Sequence, residues 1–333
     1  MKTPRKKHML TYKFIDRPSP ITRQLYDETI ACIVNKNKQL DGLKAIYKFG
    51  NITTPGISDL DLIFVFENGV TCLKNGFESL PKHQKVLFTH GIMAISEKHF
   101  TENTHFNLWS DQQLLFGSAP SSYHRLRTQE EERSLSVQTA IEYIIINYID
   151  LKIQNSYKVI KIRSLLQHMK GLLYDLQMLN DSKNPISSPL LQLKQWIQFW
   201  FQTPPSDNDI REWVSNFGPQ FDAFIQETLI KSPLFLPEME RYVISKNMKL
   251  WKAEKLDYSR TGILLPSMLS LFGRNYFKLQ HKLNRFDFYC PITHNTSEIV
   301  KERFEFLKRM KVYNREHLPN FMTMISSLTA KVI

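Results

Sequence analysis

The chain is poor in the residues that build covalent or metal frameworks. Its 333 residues hold three cysteines, Cys32, Cys72 and Cys290. They are far apart and odd in number, so neither a disulfide framework nor a cysteine-based zinc site can be laid out from them. This points to a reduced, cytosolic (cytoplasmic) setting. There are only 11 glycines, and Gly171, Gly218 and Gly273 stand alone, which excludes a Walker-type phosphate loop. No run approaches the ~20 apolar residues that a transmembrane helix needs. The stretch MKTPRKKHMLTYK is basic but lacks the apolar core of a secretory signal. Ser-His-Asp and Cys-His nucleophile patterns are missing, as are internal repeats and low-complexity tracts.

What remains is an ordinary globular composition, 42% hydrophobic and 23% charged, on a chain long enough for two domains. The net charge is +12, and residues 241–333 carry 17 Lys/Arg against 7 Asp/Glu, which is most of that excess. An anionic partner fits such a balance, whether nucleic acid, nucleotide phosphate or membrane surface. A solvated basic surface fits it equally well.

Periodicity divides the chain. Residues 1–20 read as an N-terminal arm broken by Pro4, Pro18 and Pro20. Ile21, Leu25, Ile30, Ile33 and Val34 predict a helix over 21–38, capped by Thr22 or Ser19. Leu43–Phe49 and Leu60–Phe66 read as strands, the second ended by the turn Glu67-Asn68-Gly69. A helix over 79–90 and strands at Ile92–Ser96 and His105–Trp109 follow, and Leu114–Gly117 closes this region. Beyond Ser118–Ser122 the pattern turns to helices: 130–152, 159–176, 190–201, 209–230, 238–251 and 297–311. The expected fold class is α+β: a small mixed β-sheet domain over 21–120 and a larger, basic, helical C-terminal domain over 121–333.

The chemistry-bearing string is Phe49-Gly50-Asn51, a Pro- and Gly-containing loop, then Ser58-Asp59-Leu60-Asp61 and the apolar run Leu62–Phe66. Side chains alternate along a strand, so Asp59 and Asp61 share a face with ~6.6 Å of rise between them. Two carboxylates so placed can converge on divalent ions, and paired ions ~3.5–4 Å apart clamp the attacking and leaving oxygens of a phosphoryl transfer. Mg²⁺ is suited by carboxylate and substrate phosphate oxygens. Gly50 allows close backbone approach to a triphosphate, and the Asn51 amide can donate to a phosphate oxygen.

This string resembles the polymerase-beta-like nucleotidyltransferase superfamily, in which a Gly-Ser or Gly-Gly pair after one strand precedes an Asp-x-Asp opening the next. The resemblance covers roughly residues 21–117. It implies Asp59 and Asp61 as catalytic metal ligands, Gly50, Asn51 and Ser58 as triphosphate contacts, Mg²⁺ or Mn²⁺ as cofactor, and an NTP as substrate. The implied reaction moves a nucleoside monophosphate to a hydroxyl acceptor, on RNA, a small molecule or a protein, and releases pyrophosphate. A cleft between the domains would hold nucleotide and acceptor. Asn51 departs mildly from the family pattern. The family's third carboxylate, on a later strand, has no clear counterpart: His105–Trp109 carries no acid, while Glu97 and Asp111 only follow candidate strands. The alternative is a catalytically degenerate nucleotide- or nucleic-acid-binding or scaffold protein.

Other motifs weigh less. In glycosyltransferases of the Asp-x-Asp type the apolar strand precedes the acidic pair, and here it follows. Arg163 and His168 are spaced like a ribonuclease pair, yet that spacing arises easily by chance. His281, His294 and His317 lack metal-ligand spacing. Trp196, Phe199, Trp200 and Phe201 at helical spacing suit a core or interface better than base stacking.

Overall fold

The computed structural model describes residues 12–106, 111–120, 126–324 and 328–332. In chain order they form β1 (Lys13–Ile15), α1 (Arg23–Asn37), β2 (Leu43–Phe49), β3 (Asp61–Phe66), α2 (Lys82–Lys85), β4 (Met93–Ser96), α3 (Glu97–Phe106), β5 (Gln112–Gly117) and α4 (Gln129–Tyr157). Next come β6 (Val159–Lys161), α5 (Ile162–Met178), α6 (Ser187–Phe199), α7 (Asp207–Lys231), β7 (Leu234–Phe235), β8 (Tyr242–Ser245), β9 (Met248–Lys252) and β10 (Asp257–Gly262). A 3₁₀ helix (Ser267–Phe272), α8 (Arg274–Leu283), β11 (Asn284–Cys290), β12 (Ile292–Thr293), α9 (Glu298–His317), β13 (Met322–Thr323) and α10 (Leu328–Val332) complete the set. The chain is thus mixed α+β with several small sheets.

Two units emerge, each discontinuous in sequence. The first joins Ser19–Ser136 to Thr296–Lys331 and holds the sheet β13-β4-β3-β2-β5. β3 runs antiparallel to β2 and parallel to β4, and β5 runs antiparallel to β2. Tyr26 and Ile33 of α1, Ile46, Leu62, Phe64 and Phe66 of the sheet, and Leu318 and Phe321 from the late segment form its core. The Phe321 ring lies 5.6 Å from both Phe64 and Phe66. That packing makes 296–331 part of this unit, whereas the sequence division at 120 assigns the segment to a C-terminal domain.

The second unit joins residues up to Pro18 with Val137–Asn295. Its long helices carry a buried aromatic row on α7, where Trp213, Phe217 and Phe221 stack at 4.5 and 5.2 Å. α7 starts with a capping box, Ser206 and Asp209 each bonding the other's backbone, which satisfies two donors of its open first turn. The unit also holds the sheet β10-β11-β9-β8, so the C-terminal region is not wholly helical.

Several local expectations change. The arm is not free over its described part, because β1 pairs in parallel with β6. The helix expected over 79–90 shrinks to α2, since the chain must straighten to lay Leu87 beside Leu60, whose N–H donates to the Leu87 carbonyl at 2.9 Å. His105 and Phe106 end α3, and the rest of that expected strand, 107–109, lies outside the described residues. The helix expected over 238–251 is the hairpin β8–β9, in which β-branched Val243 and Ile244 favour extended backbone. The helix expected from 159 begins only after β6. By contrast α1, capped by Thr22 accepting from the Leu25 N–H at 3.3 Å, and strands β2, β3 and β4 fall where periodicity places them.

Candidate metal centre

Four strands of the first unit present their ends at one edge of its sheet. β2 arrives there at Phe49, level with Asp61, the first residue of β3, and with Gln112, the first residue of β5. β4 runs parallel to β3 with Ile63 opposite Met93. Extending that register back by two and four residues brings Asp61 level with Gly91 and Asp59 level with Thr89.

Gly50 turns the chain at this edge in the left-handed region, φ +66°, a conformation that costs glycine little. Its N–H donates to the Asp111 carbonyl at 2.9 Å, and the Asn51 amide donates to the Asp111 carboxylate at 3.1 Å. No atom comes within 4 Å of where a Gly50 Cβ would stand, so the backbone is open to approach on that side. The loop after Asn51 is pinned from α1. The Tyr26 hydroxyl donates to the Ser58 carbonyl at 2.6 Å and accepts from the Gly56 N–H at 3.1 Å. The Ser58 hydroxyl accepts from the Thr54 N–H at 3.1 Å, so it shapes the loop that delivers Asp59.

The acidic pair meets a histidine. His90 Nε2 lies 2.8 Å from Asp61 Oδ1, and Thr89 Oγ donates to Asp59 Oδ2 at 2.7 Å. Apart from His90, Asp61 Oδ1 is a buried oxygen with no hydrogen-bond partner. His90 Nδ1 lies 2.8 Å from the Gly91 carbonyl. A carbonyl only accepts, so Nδ1 carries a hydrogen and Nε2 is directed at the carboxylates. This is how a metal-binding imidazole is usually oriented by its surroundings. The Asp61 contact, ahead of other causes, pushes His90 up to about 9. Burial first, with Asp59 adding to it, pushes the Asp61 carboxyl up against the pull of His90.

Ligand atoms of Asp59, Asp61 and His90 all lie within 4.8 Å of one another. An octahedral ion with ~2.1 Å bonds sets neighbouring ligands ~3.0 Å apart and opposite ones ~4.2 Å apart, so small side-chain shifts close the triad on one ion. The donor set fits a divalent metal. Two carboxylates with substrate phosphates suit Mg²⁺, and the imidazole widens the set toward Mn²⁺ or Zn²⁺.

Of the two candidate third acids, Glu97 follows the C-terminal end of β4, which is the opposite edge of the sheet from Asp61. Asp111 is at the correct edge, but β2 separates it from β3, two strand spacings or ~9.6 Å away in backbone. Among the described residues neither neighbour of β3 brings a carboxylate to this edge; β4 brings Thr89 and His90. Asn107 lies outside the described residues. His90 and Thr89 were not legible as site residues, and only the Thr-His-Gly placed just before an apolar strand hinted at them. Arg163 is buried, and His168, on the same helix, faces Asp150 at 3.4 Å.

Comparison of the sequence with models of known protein families gives no match, and comparison with curated proteins gives none either.

Proposed function

We propose that this edge binds a divalent ion and an NTP and transfers the nucleoside monophosphate to a hydroxyl acceptor, with pyrophosphate leaving. The observation that carries the reading is the meeting of Asp59, Asp61 and His90 beside the left-handed Gly50 turn, with His90 as the one partner of the buried Asp61 Oδ1. Asp59 and Asp61 hold the ion, and His90 offers a third donor. A divalent ion there supplies neutralisation of the charge that develops on the phosphoryl oxygens. The open backbone at Gly50 and the amide of Asn51 receive the triphosphate, with Asp111 fixing that amide in place. Cationic residues of the chain favour an anionic acceptor such as RNA.

A second reading rests on His90. A protonated imidazole beside Asp61 offsets one of the two carboxylate charges from within the chain, and no third acid adjoins β3 among the described residues. Both features suit a nucleotide- or nucleic-acid-binding domain without turnover.

One experiment separates the two. Purified protein is incubated with Mn²⁺ or Mg²⁺ and each α-phosphate-labelled NTP, with and without total RNA, alongside the Asp59→Ala/Asp61→Ala variant. Label transferred by the wild type alone is the expected result. NTP binding without transfer favours the second reading, while activity unchanged in the variant overturns the assignment of these aspartates.

A further inference from the structure

The second unit carries a ridge built inside out. After β10 the chain runs through Ile263, Leu264 and Leu265 into the 3₁₀ helix and α8. Ile263, Met268, Leu271 and Phe272 are 67–78% exposed, while the amides beneath them are buried. Gln280, fully buried, accepts from the Leu265 N–H at 3.4 Å and donates to the Leu265 carbonyl at 3.1 Å. Asn284, also fully buried, donates to the Ile263 carbonyl at 2.9 Å. Gly262 makes the entry possible: a Cβ there would stand 2.1 Å from the Leu283 carbonyl oxygen. Buried polar groups thus hold backbone in place while large apolar side chains face water, the reverse of what stability alone selects.

The stretch of chain between Asp257 and Asp287, which builds the ridge, carries charge of one sign. From Tyr258 to Phe286 the chain has Arg260, Arg274, Lys278, Lys282 and Arg285 and no Asp or Glu. On α8 Lys278 and Lys282 are exposed and one turn apart, beside the exposed pair Leu279 and Leu283. An apolar crest flanked by cations matches the interface of an anionic bilayer, where side chains enter the acyl boundary and lysines meet headgroup phosphates. Base stacking would call for aromatic faces, and Phe272 is the single aromatic among the four most exposed crest residues. No helix of the described residues is long and apolar enough to cross a membrane, so such contact is peripheral.

We propose that the crest Ile263–Phe272, with Lys278 and Lys282, docks this protein on anionic lipid surfaces. The test is co-sedimentation of the full chain with phosphatidylcholine vesicles, with and without phosphatidylserine. Salt series, Leu271→Glu/Phe272→Glu and Lys278→Glu/Lys282→Glu variants complete it, with folding checked by circular dichroism and melting. Binding is expected to require phosphatidylserine and to weaken with salt. Each double variant is expected to lose roughly tenfold or more in partitioning. Failure of the wild type to bind phosphatidylserine vesicles overturns the proposal, as does unchanged binding by the crest variant. Self-association or RNA retention that the crest variant abolishes, without vesicle binding, reassigns the crest to a second copy or to RNA and likewise overturns it. None of these outcomes depends on the transfer reaction.

Discussion

β3 and β11 are both inner strands, and they meet water differently. Every residue of β3 after Asp61 is buried, on both faces of the five-stranded sheet. β11 alternates: Phe286, Phe288 and Cys290 are buried, while Arg285, Asp287 and Tyr289 are more open. A strand covered on both sides reads as a continuous apolar run, and one covered on a single side reads as alternation. The first kind can support charged groups only at its end, where Asp59 and Asp61 stand. The second offers side chains along its whole length.

The sharpest way to break this comparison is by truncation. Phe66→Ala in β3 removes a fully buried ring and is expected to cost about 3–5 kcal/mol in urea unfolding. Tyr289→Ala on the outer face of β11 is expected to cost under about 1 kcal/mol. Equal costs would mean that the two sheets are covered alike.

Glycines sharpen it next. A Cβ on Gly117 would stand 1.8 Å from the Lys44 carbonyl oxygen, and one on Gly262 2.1 Å from that of Leu283. Alanine at either position is expected to cost about 2–4 kcal/mol, by clash and by positive φ. Gly50→Ala has the φ strain alone and is expected to cost about 1 kcal/mol. Thermal unfolding of the three variants ranks them.

The last effect is acid sensitivity of the first unit. Burial, with Lys98 and Arg309 adding to it, lowers His99 to about 4. Its ring packs on Tyr313 and Phe306 and meets the Ser96 hydroxyl at 2.9 Å. Folded His99 stays neutral where an unfolded histidine takes a proton, so the unfolded state binds more protons between about 6.5 and 4. Stability is therefore expected to fall as pH drops through that window, by up to about 2 kcal/mol once partial solvent access is allowed for. A resonance assigned to His99 by its loss in His99→Gln is expected to titrate near 4, and titration of that resonance near 6.5 would exclude the shift.

These differences also govern what could be read from sequence. α1, β2 and β3 were legible because burial there is one-sided at helical period or complete along a strand. The Asp59–Asp61 pair was legible because strand alternation alone places both on one face. His90 was not, because its position follows from the parallel register of β3 and β4, which periodicity does not encode. β8 and β9 were missed because Met-Lys-Leu-Trp-Lys alternates too weakly to be told from a helix turn. β1 and β13, three and two residues long, exist only through distant partners.

β13 has a consequence for how the chain is made. It pairs with β4 from more than 200 residues further along, and Asn314 of α9 donates to the Ala94 carbonyl at 2.8 Å. During synthesis β4 emerges long before either contact exists. At about 5–20 residues per second the strand waits roughly eleven to forty-six seconds with one side open. An open strand side invites wrong pairing with other chains. The flank of β4, the strand that Thr89 and His90 lead into, is therefore completed late in translation, after Asp59, Asp61 and His90 have all been made.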